Sequence, residues 1–201
     1  MSFQSLRRAV QGEIFDSQMV KHHLQEYKKP RDAISRWLRQ GRIVQVKKGL
    51  YIFGPDQQRQ GISREILANL IYSPSYVSFE YALSKYGLIP ERAYEVTSVC
   101  LHRSKTFKTA AGVFSYKKRP LGVYSVGTTQ EDGYLIATPE KALVDLISRE
   151  KGLKSVRDLK EFLYENMRME QTDLEKMRKG LLVQILKAYG LSQQWIEAIY
   201  D

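Results

Sequence analysis

The stretch from Pro30 to Phe53 constrains the fold more than any other part of the chain. Pro30 suits the first turn of a helix, because it has no amide hydrogen to leave unpaired. Ala33, Ile34, Trp37 and Leu38 then recur at helical spacing, and Gly41 supplies a stop after about Gln40. Ile43-Val44-Gln45-Val46 and Leu50-Tyr51-Ile52-Phe53 are β-prone and joined by Lys47-Lys48-Gly49, which predicts a hairpin with two lysines at its tip. Upstream, Phe3, Leu6, Val10 and Ile14 predict a helix over residues 3–12 that ends near Gly12. Asp16 or Ser17 can N-cap a second helix through Leu24, with Met19, Val20 and Leu24 on its buried face.

Three helices followed by a basic-tipped hairpin make a winged helix-turn-helix, expected over residues 1–61. The charge points the same way. The formal net charge is +10, and residues 1–61 hold 12 Lys/Arg against 5 Asp/Glu, a net of +7. The window 28–48 alone accounts for that excess, with eight basic residues against Asp32. Subtracting the apolar stripe of the third helix leaves Arg31, Asp32, Ser35, Arg36 and Arg39 on the opposite face. Such a helix is shaped to enter a major groove, with the hairpin lying along the backbone or over the minor groove. Lys28, Lys29, Lys47 and Lys48 are expected to neutralise phosphates. Arg31, Arg36, Arg39 and Arg42 complete the basic set, and an arginine can pair bidentately with guanine. Ser35, short and central, can approach a base edge. The expected partner is therefore double-stranded DNA. Trp37 and Tyr51 are read as core, and His22 and His23 as surface residues of the second helix.

Composition narrows the remaining classes. No apolar run approaches the roughly 18 residues of a membrane span. The polar segment after Arg7 and Arg8 is unlike a secretion signal. Cys100 is the only cysteine and there are three histidines, so no disulfide or structural zinc is expected, and the reading is cytoplasmic. No cofactor is expected.

Pro55–Gly61 is polar with breakers at both ends and marks a boundary, leaving residues 62–201 as a second domain. There, helices are expected over Ile62–Ile71 and Phe79–Tyr86, and extended segments at Tyr76–Ser78, Glu95–Leu101, Val113–Tyr116, Val123–Val126 and Tyr134–Ala137. Thr138-Pro139-Glu140 starts a helix, with a threonine cap, proline at the first position and an acid in the first turn. From Val156 to Tyr200 the chain reads as short helices broken near Arg168, Gly180 and Gly190. This order predicts an α+β domain with a largely antiparallel sheet and a helical tail.

Ser75-Tyr76-Val77-Ser78-Phe79-Glu80-Tyr81-Ala82-Leu83, followed by Tyr86-Gly87-Leu88-Ile89-Pro90-Glu91, resembles a signature of the AbiEi-type antitoxins. Thr97-Ser98-Val99, Gly112-Val113-Phe114-Ser115-Tyr116 and Thr138-Pro139-Glu140-Lys141-Ala142-Leu143-Val144-Asp145 extend the match in order, and Lys48-Gly49-Leu50-Tyr51 also fits. The resemblance covers about residues 3–165. It implies the autorepressor and antitoxin of a type IV toxin–antitoxin phage-defence operon, binding inverted repeats in its own promoter as a monomer or weak dimer. It also implies a companion nucleotidyltransferase-like toxin, with which no stable complex need form.

Two other readings stay open. One is a ligand-responsive repressor, in which the aromatic residues Phe114, Tyr116, Tyr124 and Tyr134 line a pocket instead of packing a sheet. The other is a nuclease domain around Glu140, Lys141 and Asp145. Helix capping by Thr138 and Glu140 and an ion pair on the helix surface between Lys141 and Asp145 explain that cluster without chemistry. No nucleotide-cradling loop or nucleophile constellation is present, and no enzyme is expected.

Overall fold

The computed structural model describes residues 3–25 and 29–200. The chain opens with α1 (Phe3–Ala9), strand β1 (Ile14–Asp16), α2 (Ser17–His23) and α3 (Pro30–Arg39). A hairpin of β2 (Ile43–Lys47) and β3 (Leu50–Phe53) follows. The three strands form an antiparallel sheet in the order β1-β3-β2. Asp16 caps α2 by accepting the amides of Gln18 (2.9 Å) and Met19 (2.8 Å). Two expectations need correcting. The first helix stops at Ala9, and Ile14 belongs to a strand whose partners are Ile52, Tyr51 and Leu50. Ile14 had matched the helical period by coincidence, and pairing with β3 gives its backbone better partners than an extra turn would. Met19 is exposed, and Val20 with Leu24 carries the burial of α2.

Arg7 fixes the end of α1. Its guanidinium meets the Glu13 carboxylate at 2.7 Å, donates to the Gln57 carbonyl at 2.8 Å and lies 4.1 Å from the Phe53 ring centroid. Close approach of two backbones fixes the far side of the hairpin. The Gly54 amide donates to the Arg42 carbonyl at 2.9 Å, and a Cβ on Gly54 would lie 1.8 Å from the Gly41 oxygen.

After a single 3₁₀ turn at Pro55–Gln57, the second part contains α4 (Arg64–Ile71), β4 (Ser75–Val77), α5 (Phe79–Lys85), β5 (Val96–Cys100), β6 (Lys105–Thr109) and β7 (Gly112–Lys118). Then come α6 (Leu121–Tyr124), β8 (Thr128–Glu131), β9 (Tyr134–Ala137) and α7 (Pro139–Ile147). The tail holds α8 (Val156–Glu161), widening into a π turn over Phe162–Asn166, then α9 (Gln171–Glu175), α10 (Lys179–Tyr189) and α11 (Trp195–Tyr200). The fold is thus α+β, and no helix among the described residues is long and apolar enough to cross a membrane.

The six strands run in the order β6-β7-β5-β4-β9-β8, with β5–β7 and β4–β9 parallel and the other three pairings antiparallel. Val123–Val126 is not a strand. Leu121–Tyr124 turns as a short helix behind Pro120, burying Val123 and setting Tyr124 edge-on to Tyr76. The strands that sequence missed, β6 and β8, are the two sheet edges, and their polar sequences suit unpaired edges facing water. In the tail, Arg168 adopts a left-handed φ of 50° and Gly190 one of 65°, at the expected breaks, whereas Gly180 lies inside α10.

Buried apolar side chains fall into two clusters, and the hairpin serves both. Tyr51 and Phe53 belong to the cluster built with Phe3, Leu6, Val20 and Trp37. Val46, Leu50 and Ile52 belong to the larger cluster around the six-stranded sheet. Phe114, Tyr116 and Tyr134 are buried in that larger core, as packing residues.

Replacing Gly54 by Ala is expected to destabilise the chain by about 3 kcal/mol or more, because neither backbone can yield without breaking the hairpin. Urea unfolding would measure it, and a loss of less than about 1 kcal/mol would show that the two backbones can separate.

Candidate nucleic-acid interface

Helix α3 is held by one apolar side. Ala33 and Trp37 are buried, and the Phe3 ring stands edge-on to Trp37 at 5.6 Å between centroids. Edge-to-face pairs of this kind add about 0.5–1.5 kcal/mol beyond the area they bury. The other side is open. Arg31, Asp32, Ser35, Arg36 and Arg39 are all exposed, as are Lys29 at its N-terminus and Arg42 just past its end. Among the described residues, the side chains of Lys29, Arg31, Ser35, Arg36 and Arg39 make no hydrogen bond or ion pair, whereas the Arg42 guanidinium lies 5.3 Å from the Phe3 ring. Lys28 lies outside the described residues. Trp37 and Tyr51 are buried and belong to the core, while His22 is exposed and His23 half-exposed on α2.

The two hairpin lysines part company. Lys48 is exposed and has no partner among the described residues. Lys47 closes β2, and its ammonium donates to the Ile71 carbonyl at 2.7 Å. Ile71 is the last residue of α4, where carbonyls lack helical partners and a cation opposes the dipole's negative end. Lys47 therefore caps α4 and ties the hairpin to the second part of the chain, a role sequence reading had not given it.

The structure also brings up basic residues that the charge count passed over. Arg103, Lys105, Lys108, Lys117, Lys118 and Arg119 fall in residues 102–119 with no acid among them. Tyr72, next to Ile71, donates to the Arg103 carbonyl at 3.2 Å and packs its ring on His102, Phe107 and Tyr116 at 5.2–5.5 Å. Lys105 shares a sheet face with Phe107 and Tyr116 and sits 4.7 Å from the Phe107 ring centroid. The end of α4 thus meets the hairpin at Ile71 and the basic turn at Tyr72. The summed charge of residues 62–201, only +3, hides this local excess.

The cluster on α7 is not on a surface. Glu140, Lys141 and Asp145 are all buried, which overturns the reading of Lys141 and Asp145 as a helix-surface pair. Asp145 accepts from Ser78 at 2.6 Å and Tyr76 at 3.0 Å, and it also accepts from the Tyr189 hydroxyl. Lys141 lies 3.6 Å from Asp145 and donates to the Val123 carbonyl at 2.6 Å. Burial pushes the Asp145 carboxyl above its ordinary range and the Lys141 ammonium below its own, and each partner's charge opposes the other's shift. Burial alone would also raise Glu140, but hydrogen bonds from Arg178 hold it below the usual carboxylate range. Arg178 and Tyr189 come from the tail. The motif residues Tyr76, Ser78, Lys141 and Asp145 therefore converge to clamp α10 on the sheet domain. Thr138 caps α7, accepting from the Lys141 amide at 3.3 Å, and Asp158 completes a capping box with Ser155.

Comparison with protein families and with curated proteins gives no match to this chain.

Lys47→Met is expected to lower stability by about 0.5–1.5 kcal/mol, the net worth of one hydrogen bond. Arg36→Gln with Arg39→Gln should change it by less than about 0.5 kcal/mol per site, since among the described residues neither side chain has a hydrogen-bond or ion-pair partner to lose. Thermal unfolding of the three proteins compares them. A loss above about 1 kcal/mol in the α3 double variant would contradict the division between structural and free cations.

Proposed function

We propose that the chain is a DNA-binding transcriptional repressor whose first 61 residues form a winged helix-turn-helix. Helix α3 enters the major groove and the β2–β3 hairpin is the wing. The observation that carries the reading is the open face of α3, where Arg31, Ser35, Arg36 and Arg39 are exposed with no hydrogen-bond or ion-pair partner among the described residues. Guanidinium groups left unpaired across a helix only about 10 residues long cost self-repulsion, and a duplex relieves it by exchanging counterions for fixed cations. In this reading Lys29 and Lys48 fix register on phosphates, while Arg36, Arg39 or Ser35 reaches base edges. Arg103 and Lys105, near the end of α4, extend the footprint along the backbone. Lys47 acts by holding the wing in place.

The second part of the proposal is the biological setting. We read the protein as the cytoplasmic antitoxin of a type IV toxin–antitoxin phage-defence operon, repressing its own promoter at inverted repeats and counteracting a nucleotidyltransferase-like toxin. This rests on the ordered AbiEi-like motifs between Ser75 and Asp145.

Fluorescence anisotropy with fragments of the chain's own promoter tests the first part. Wild-type protein should bind with an affinity that falls steeply with salt, and Arg36→Glu with Arg39→Glu should abolish binding without unfolding. Lys48→Gln should flatten the salt slope by about one unit, as expected for one phosphate contact. Retention of normal binding by the double variant would rule out α3 as the reading helix. For the setting, co-expression with the adjacent toxin-like gene should relieve growth arrest, and unrelieved arrest would reject the antitoxin role.

A further inference from the structure

The β5–β7–β6 half of the sheet has two unlike faces. Phe114 and Tyr116 turn one side of β7 toward α4, where Arg64 lies 6.0 Å from the Phe114 ring and the Tyr116 hydroxyl donates to the Ala68 carbonyl at 2.7 Å. Alternation along the strand puts Ser115 and Lys117 on the opposite side. The register sets Thr97 of β5 and Thr106 of β6 beside Ser115. Over this row of hydroxyls lies a groove of about 410 Å³, within the range of small-molecule sites. Glu80, Arg149 and the segment Ala93–Glu95 wall it. That segment is fixed, since the Ala93 amide donates to Ser84 Oγ at 3.3 Å and the Tyr94 carbonyl accepts from Arg64.

Some polar groups of the groove are already spent. The Thr97 hydroxyl donates to the Ser78 carbonyl at 2.7 Å and accepts from the Tyr81 amide at 3.2 Å. Arg149 is paired with both Glu80 and Glu150. Three others are not. Ser115 is only 8% exposed, and among the described residues its hydroxyl has no hydrogen-bond partner. Unlike the Ser98 hydroxyl on the other face, it is not sealed in. A polar group so deeply placed is ordinarily partnered. Lys117 and Glu95 are exposed and form no hydrogen bond or ion pair among the described residues. They stand at opposite ends of the floor. Val96 pairs with Phe114, so Glu95 lies beside Val113, four residues and about 13 Å along the strand from Lys117.

We propose that this groove binds a short free peptide of about three residues, its carboxylate end at Lys117, its ammonium end at Glu95 and its backbone on Ser115. The lining holds two acids, Glu80 and Glu95, and two bases, Lys117 and Arg149, so it disfavours a ligand of net charge and suits a dipolar one. Opposite charges held apart by a hydroxyl floor call for a molecule with charged ends and hydrogen-bonding groups between them. A peptide has all three. Three extended residues span about 10 Å, and the lysine and glutamate side chains close the remainder. The serine hydroxyl both donates and accepts, so it can meet either group of a peptide amide. Recognition is of ends and backbone, and it does not depend on DNA binding.

Trialanine is the probe, compared with its C-terminal amide, its N-acetyl form and the doubly blocked peptide. NMR titration of the intact protein should show saturable trialanine binding, with either single block weakening it about three- to fivefold, the worth of a solvent-exposed ion pair. Lys117→Gln should no longer distinguish the amide but still distinguish the acetyl form, and Glu95→Gln should do the reverse. Ser115→Ala should weaken every form alike, about fivefold, for want of one hydrogen bond. No saturation by trialanine, or variants that discriminate as the wild type does, would overturn the proposal. Doubly blocked peptide binding as tightly as the free one would also overturn it, and would assign the groove to an internal segment of a partner protein.

Discussion

Strand β3 is buried on both faces, and the rest of the architecture depends on that. Its four residues alternate between two cores: Tyr51 and Phe53 face the helices of the first part, and Leu50 and Ile52 face the second. A hairpin that serves two cores cannot swing freely. Burying an aliphatic side chain is worth about 1.5–3 kcal/mol, so detaching the hairpin from the second core exposes Val46, Leu50 and Ile52 together. The Lys47 cap on α4 and the Arg7 contacts to Glu13 and Gln57 reinforce the same junction with directional bonds. The basic face of α3 is therefore presented by a body larger than the unit that carries it.

The cations of this protein divide by what surrounds them. Arg7, Lys141 and Arg178 are tied to carboxylates, and Lys47 to a helix-end carbonyl. Among the described residues, those on α3 have no hydrogen-bond or ion-pair partner. Ion pairs that lose one buried partner leave an uncompensated charge and are costly to break, whereas exposed pairs contribute little. The structural cations therefore belong to the fold, and the free ones are available to a partner. A count of lysines and arginines along the sequence cannot make that separation. It misses the bond that Lys47 makes within the chain, because nothing in the local sequence shows the end of α4 arriving twenty-four residues later.

Elements with strong local signals were legible. Pro30, Gly41 and the Ala33–Trp37 stripe placed α3, and Thr138-Pro139-Glu140 placed the start of α7, because caps and apolar periodicity act within one turn. The misread elements owe their conformation to distant partners. Ile14–Asp16 is extended because β3 pairs with it, and the edge strands β6 and β8 have polar sequences that pass for loops. Val123–Val126 is β-branched and aromatic, but its neighbours fold it into a helical turn that buries Val123. The open face of α3 could be read from periodicity alone. The Arg59 amide bond to Glu13 and the clamp on α10 could not, since each joins residues more than forty positions apart.

That clamp has a consequence for how the protein is made. Asp145 and Lys141 leave the ribosome 44 and 48 residues before Tyr189, and at about 5–20 residues per second the interval is on the order of 2–10 s. For that time a carboxylate and an ammonium destined for a dry interior lack one of the hydroxyls that satisfies them there. The sheet domain can collapse early but cannot finish. The residues of α3, by contrast, are synthesised before either, together with Phe3 and Phe53, the aromatic residues of their own core.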